Sequence, residues 1–358
     1  MRYLQSGLIT YDRGRATEGY TLFSPLAQLK TYLIDMEGQV VHEWDLPSPP
    51  GNYAYLQSNG NLMAACRTDG RPKSLAAGGG LMIEFDWDGN RVWEYTDHFQ
   101  HHDFRRLPND NLIYFGWEKF SEDAAARVQG GLAGTDHGGE IWGDYIREVD
   151  RDGNTQWEWH AETDMDFERY PICPICYRNE YAHGNTVTYN RAGDVMVSWR
   201  HTHLVAVIDR HTKKFKWEMS DMALFGHQHD FQELDNGNYL LFANRDHTDL
   251  HGPQVGSRVL EIDPANKDVV WEYKGKPLHT FFSPHVSGCQ RLPSGNTLIC
   301  EGIWGRIFEV TPGAEIVWEY VSPYFIPDGH PSGRDGHNQM FRAYRYAADS
   351  PEIGGRLD

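Results

Sequence analysis

One phrase recurs six times along this 358-residue chain, and a repeat of that kind restricts the fold more than any other feature. Each copy is an alternating strand that ends in Asp or a substitute, then a turn, then a strand carrying Trp-Glu or Glu-Trp. The first strand occupies residues 31–35, 81–86, 145–150, 204–209, 258–263 and 306–310. Trp44, Trp93, Trp157, Trp217, Trp271 and Trp318 mark the second, at spacings of 47 to 64 residues. A second phrase alternates with the first. It is a hairpin turn between apolar strands: Asn59-Gly60-Asn61, Asn109-Asp110-Asn111, Ala192-Gly193-Asp194, Asn236-Gly237-Asn238 and Ser294-Gly295-Asn296. Such residues supply the positive φ angles that tight hairpins need.

Together the phrases give four antiparallel strands per repeat. A lone four-stranded sheet cannot bury both faces, whereas six stacked around an axis can. The expected fold is therefore all-β, a six-bladed β-propeller. The hairpin phrase appears five times, and the termini supply the sixth: residues 340–346 read as an inner strand and 19–23 as its neighbour. The ring would then be closed by N- and C-terminal strands sharing one blade. One domain is expected over 1–358, with 1–18 as an N-terminal extension and 347–358 as a C-terminal tail.

The formal charge of −18 opposes binding to nucleic acid or to an anionic membrane. No apolar run is long enough to span a bilayer. The first residues lack a basic segment followed by an apolar one, so a cytoplasmic protein is expected, or a periplasmic one if the chain is a trimmed mature form. Nothing in the sequence sets the oligomeric state. The five cysteines are Cys66, Cys173, Cys176, Cys289 and Cys300, too few and too odd in number for a disulfide framework. Cys173-Pro-Ile-Cys176 has CxxC spacing but no thioredoxin-like βαβ context and no second ligand pair nearby in sequence. It reads as packing or incidental thiols.

The histidines are register-locked. His102 and His229 lie eight residues before Asp110 and Gly237, and both begin His-Asp-Phe. His183, His227 and His285 lie ten residues before Gly193, Gly237 and Gly295, and His337 precedes the terminal inner strand. Successive blades thus place an imidazole where the chain enters its innermost strand, and these positions are expected to converge. Arg200, His201 and His203 follow the strand ending at Trp199 and can face the same volume. His42, His160, His211, His247 and His251 show no such register and are expected to be solvated. Converging imidazoles serve as nucleophile, general base or general acid, or as metal ligands.

Residues 101–111 (HHDFRRLPNDN), 183–186 (HGNT), 226–230 (GHQHD), 258–264 (RVLEIDP) and 341–346 (FRAYRY) resemble the bacterial arylsulfotransferase (aryl-sulfate sulfotransferase) family. The resemblance runs over nearly the whole chain from Gly19. It implies a propeller that moves a sulfuryl group from an aryl sulfate to a phenolic acceptor by a ping-pong route through a sulfated histidine, with no cofactor. It makes His229 the nucleophile, His102 and His183 its supporting histidines, and Arg200 the sulfate-holding cation; the partner is a small aromatic substrate. The chain departs from the family pattern in lacking an N-terminal β-sandwich and in carrying His201, His203, His285 and His337. Those additions leave a rival: a metal-dependent lyase, hydrolase or oxygenase that holds Zn, Mn, Fe or Cu with members of the set His102, His183, His229, His285 and His337. A noncatalytic binding propeller is the third reading. Two insertions, 116–144 and 161–182, are candidate lids, with Tyr170, Tyr177 and Tyr181 lining a substrate pocket or packing the loop.

Overall fold

The repeated Asp and Asn shape each sheet. In the outer hairpins the Asp side chain accepts from the backbone across its own turn: Asp35 from Gln39 N at 2.8 Å, Asp86 from Asn90 N at 2.8 Å, Asp150 from Asn154 N at 2.9 Å. Thr311 does the same for Glu315 N at 3.2 Å, which explains why it substitutes for Asp in the sixth copy. In the inner hairpins the Asn amide reaches a buried Glu on the third strand. Asn61 donates to Glu84 at 2.7 Å, Asn111 to Glu148 at 2.6 Å, Asn238 to Glu261 at 2.7 Å and Asn296 to Glu309 at 2.6 Å. Each pair ties the two hairpins of one sheet together and satisfies a carboxylate that burial would otherwise penalise.

The computed structural model describes residues 5–136, 138–248, 256–330 and 332–357, so His137 and His251 lie outside the described residues. The chain falls into two compact units. The first comprises Met1–Asp69, Gly79–Thr96 and Tyr273–Asp358, and the second Gly70–Gly78 and Asp97–Glu272. In the first unit Tyr20–Pro25 pairs with Met340–Tyr346 on one side and Lys30–Ile34 on the other, with Val40–Asp45 at the edge. This is the closing blade expected from the termini. The strands Pro50–Leu56, Leu62–Arg67, Gly80–Phe85 and Arg91–Thr96 form another blade. A third runs Gly288–Arg291, Thr297–Glu301, Arg306–Val310, Ile316–Val321, and Gly7–Tyr11 adds a fifth strand outside it. The N-terminal extension therefore contributes to a sheet.

The second unit holds Gln100–Arg106, Leu112–Lys119, Trp142–Val149 and Thr155–His160 as one sheet. Gly184–Tyr189, Val195–Trp199, Leu204–Ile208 and Phe215–Ser220 form the next, and His229–Glu233, Tyr239–Ala243, Arg258–Ile262 and Val269–Lys274 the third. Five four-stranded sheets and one five-stranded sheet make the chain a six-bladed β-propeller. Among the described residues no helix is long and apolar enough to cross a membrane.

Four of the six repeat tryptophans link their sheet to the following one in the same unit. The indole N–H of Trp44 donates to Asp86 O at 3.0 Å, Trp157 to Arg210 O at 2.8 Å, Trp217 to Pro264 O at 2.9 Å and Trp318 to Met36 O at 2.9 Å. Every acceptor sits in an outer hairpin turn, so one copy of the repeat is read by the next.

The two insertions are not structureless. The first carries the helix Glu122–Arg127, capped by Ser121, and the short strand Gly130–Leu132. That strand pairs in parallel with Ile172–Tyr177 from the second insertion, the strand that contains both CxxC thiols. Tyr170 and Tyr181 are buried among Phe120, Phe167 and their neighbours, and Tyr181 donates to Tyr170 O at 2.9 Å. Tyr177 is 62% exposed. Two of the three tyrosines thus pack the insertion.

Trp318→Phe removes one blade-to-blade bond from a fully buried site. It should destabilise the protein by about 1–3 kcal/mol, because Met36 O loses its donor. Val270→Thr, at an exposed position, should change stability by no more than about 0.5 kcal/mol. Urea unfolding of both variants checks the contrast, and equal effects would contradict it.

Candidate functional site

In the second unit histidines within or just before the inner strands adopt the left-handed region: His102, inside Gln100–Arg106, at φ 50°, His183 at 66° and His227 at 69°. His203 (51°) and His247 (62°) adopt it in neighbouring loops. Non-glycine residues rarely occupy this region, and five histidines there mark a strained, over-determined locus. All five are in the second unit.

The rings form a chain of contacts. His101 and His102 meet through their Nδ1 atoms at 2.8 Å. The His102 ring lies 4.5 Å from His183, His183 stacks on His201 at 4.4 Å, and His203 stacks on His227 at 4.8 Å. The next contact, His227 to His247, is 4.4 Å. Arg200 sits in the turn after Val195–Trp199, with its N–H bonded to His183 O at 3.0 Å. Its guanidinium opposes protonation of His102, His183, His201 and His227, so its charge is directed into the group. Its Nε has no hydrogen-bond partner among the described residues, and Nη2 lies 3.7 Å from Asp246.

Two imidazoles have a fixed tautomer. His229 Nδ1 is 2.7 Å from Asn244 Oδ1 and 3.1 Å from His227 O. A backbone carbonyl only accepts, so the proton is on Nδ1 and the lone pair on Nε2. His183 Nδ1 is 2.7 Å from Glu180 Oε2, and Glu180 also accepts from the Trp117 indole at 2.8 Å. That carboxylate orients the His183 ring with Nε2 directed away from it. Burial, first of all, pushes His102 and His183 well below the ordinary 6.5, and then other groups oppose their protonation: His183, His101, His229 and Arg200 for His102; Arg200, His101 and His227 for His183. Both stay neutral at neutral pH.

Of the residues expected to converge, His102 lies against His183, and His229 and Arg200 are near enough to His102 to oppose its protonation. His285 and His337 belong to the first unit. There His285 is half-buried, its carbonyl bonded by Ser283 Oγ at 2.9 Å, and His337 is exposed.

Several sequence expectations need correction. The CxxC thiols pack in the core of the insertion, as the sequence reading allowed, and they also meet two imidazoles that it did not place there. Among the described residues one group of three or more His, Cys, Asp or Glu side chains brings its ligand atoms within 4.8 Å of one another: Cys173, Cys176, His227 and His247. Hydrogen bonding from Cys176, and then from His203, His227 and His247, drives Cys173 toward thiolate; Cys176 is driven the other way by the same bond and by burial. Nor is His247 solvated: it is half-buried against these thiols. His42 stacks on Trp87 at 4.5 Å, and His160 pairs with Glu118 at 2.7 Å, which raises its pKa. His211 is exposed, as expected.

The family model described as arylsulfotransferase (ASST) matches residues 77–323. A comparison with curated proteins finds no match. Among solved structures, a protein of unknown function from Bacteroides caccae is 13% identical, with 92% of this chain and 99% of that chain covered and a TM-score of 0.56. Streptogramin B lyase is 12% identical over 89% of this chain and 83% of its own, with a TM-score of 0.49. Virginiamycin B lyase from Staphylococcus aureus is 12% identical over 89% and 84%, with a TM-score of 0.44. At such identities the first likeness bears on the fold alone, and the other two carry nothing further. The sequence family is decided by the matched segment, which is more than half of the chain: this protein belongs to the arylsulfotransferase (ASST) family.

Proposed function

We propose that this chain transfers a sulfuryl group from an aryl sulfate to a phenolic acceptor, with His229 Nε2 as the nucleophile. The observation that supports this most directly is the His229 tautomer. With Nδ1–H bonded to Asn244 Oδ1 and His227 O, the ring carries its basic lone pair on Nε2, the atom that attacks.

In the first half-reaction Nε2 attacks sulfur, an N–S bond forms, and the S–O bond to the aryl oxygen breaks. The phenolate leaves with the bonding pair. The Arg200 guanidinium faces the negative charge of the sulfuryl oxygens, and its unpartnered Nε is a donor available for them. In the second half-reaction the acceptor hydroxyl attacks sulfur as the N–S bond breaks. His183, neutral and oriented by Glu180, takes the acceptor proton on Nε2. His102 lies against His183 and extends the neutral imidazole group.

The test is turnover of p-nitrophenyl sulfate with phenol as acceptor. His229→Ala should lower kcat by at least about a thousandfold, the scale on which removing a nucleophile acts. Incubation of the parent chain with donor alone should leave a sulfuryl adduct on the peptide containing His229. Full turnover by His229→Ala would refute the assignment.

The pH profile gives a second check. The base must be neutral to accept a proton, and burial lowers the His183 pKa below 6.5. The acid limb of kcat/KM should therefore fall below pH 6.5, and activity should be retained where a solvated histidine would already be half-protonated. A limb at or above 6.5 would contradict a buried imidazole base.

A further inference from the structure

We infer that Cys173, Cys176, His227 and His247 bind one zinc ion in a closed four-ligand site that fastens the second insertion to the two loops flanking the strands His229–Glu233 and Tyr239–Ala243.

The donor geometry supports a tetrahedral ion. Cys176 Sγ lies 3.3 Å from His227 Nε2 and 3.6 Å from His247 Nδ1, and Cys173 Sγ lies 3.6 Å from His247 Nδ1. Zinc–sulfur and zinc–nitrogen bonds of about 2.3 and 2.0–2.1 Å at tetrahedral angles place sulfur and nitrogen roughly 3.5–3.6 Å apart. Three of the six edges of such a tetrahedron are thus present at 3.3 to 3.6 Å, and all four ligand atoms lie within 4.8 Å of one another. Two thiolates with two imidazoles select zinc among common divalent ions, and four protein ligands leave no open position for substrate. The site is structural in type. Both sulfurs bind as thiolates, any remaining thiol proton being released, and each neutral imidazole offers the lone pair of the nitrogen that faces the sulfurs.

The surroundings are those of built ligands. Asp246 Oδ2 lies 3.4 Å from His247 Nε2 and 3.8 Å from His227 Nδ1, the two nitrogens that do not face the thiols. One carboxylate thus stands behind both imidazoles at ion-pair range, within 3.4 Å of His247 Nε2, while His227 Nδ1 makes no hydrogen bond among the described residues. His203 stacks on His227 at an interplanar angle of 5° and accepts from its backbone N–H at 3.2 Å.

The backbone also holds the parts together without the ion. Arg245 N donates to Phe225 O and Asp246 N to Gly226 O, both at 3.0 Å, which sets His227 beside His247. Gly226 is required there. A Cβ would lie 2.6 Å from Arg245 Cα, and φ is +46°. Cys173 N donates to His201 O at 2.7 Å, which draws the CxxC strand to the turn carrying Arg200.

Metal analysis of the full chain, purified under reducing conditions, should find one zinc per chain that survives dialysis. Cobalt exchange should give the intense visible bands of a tetrahedral ion together with thiolate-to-cobalt charge transfer. The Cys173→Ser/Cys176→Ser variant should retain no stoichiometric zinc. Asp246→Asn should keep the site but weaken zinc about 10-fold or more in a chelator competition. A parent chain that neither retains nor takes up zinc would overturn the inference, as would full zinc in the double variant. If the double variant does not fold, the cobalt spectrum of the parent chain decides: bands without thiolate charge transfer place the metal elsewhere and refute the site. None of these readouts depends on sulfuryl transfer, so the two readings fail separately.

Discussion

The bond from a repeat tryptophan to the turn of the following sheet is the constraint on which the rest depends. An indole N–H is a donor only, and in a buried interface it must find an acceptor. The outer-turn carbonyls at Asp86, Arg210, Pro264 and Met36 are acceptors at a fixed height on the neighbouring sheet. Satisfying these four indoles therefore sets the register between consecutive sheets of the same unit. Register at the outer edge fixes register at the inner edge, since the Asn–Glu pairs tie the two hairpins of a sheet together. The histidines inherit their positions from bonds made far from them.

Within the second unit that inherited order is used against local preference. His102, His183 and His227 take left-handed angles that cost of order 1–3 kcal/mol each. Burial adds a further penalty to any proton they carry, so the site is stable only with neutral rings. Neutral rings are also what a nucleophile and a base require. The strain, the burial and the chemistry therefore point in the same direction, and the compensation comes from fixed partners: Glu180 behind His183, Asn244 and His227 O behind His229.

The repeat was legible because each of its residues acts within one sheet or on the next. Trp, Asp and Asn recur at fixed offsets since the same bond is made in copy after copy. The placement of His102, His183 and His229 was read from that periodicity, whereas Arg200 was singled out by its position after Trp199 and by the family resemblance. The thiol–imidazole group did not, for a physical reason. Cys176 meets His227 across 51 residues and His247 across 71, and neither separation is a multiple of anything in the repeat. The pairing arises from two irregular segments: an insertion strand bonded to His201 O, and a loop drawn in at Gly226. His247 lies outside the register that identified the other histidines, and it appears solvated only when the Gly226 contact is ignored. A glycine directly before His227 was the one local sign that another backbone approaches there.

The charges of the two groups explain how they coexist. Asp246 Oδ2 is 3.7 Å from Arg200 Nη2 as well as near both imidazoles of the proposed zinc site. A divalent ion held by four imidazoles would place two positive charges beside Arg200 and compete for that carboxylate. It would also draw an anionic substrate away from the guanidinium. With two thiolates the ion and its ligands sum to no net charge, so Asp246 keeps its charge for Arg200. The field at the neighbouring rings is then set by Arg200 and by burial. A sulfur-containing ligand set is thus the one that can fasten the insertion beside an anion-binding arginine while leaving the electrostatics of His183 and His102 unaltered.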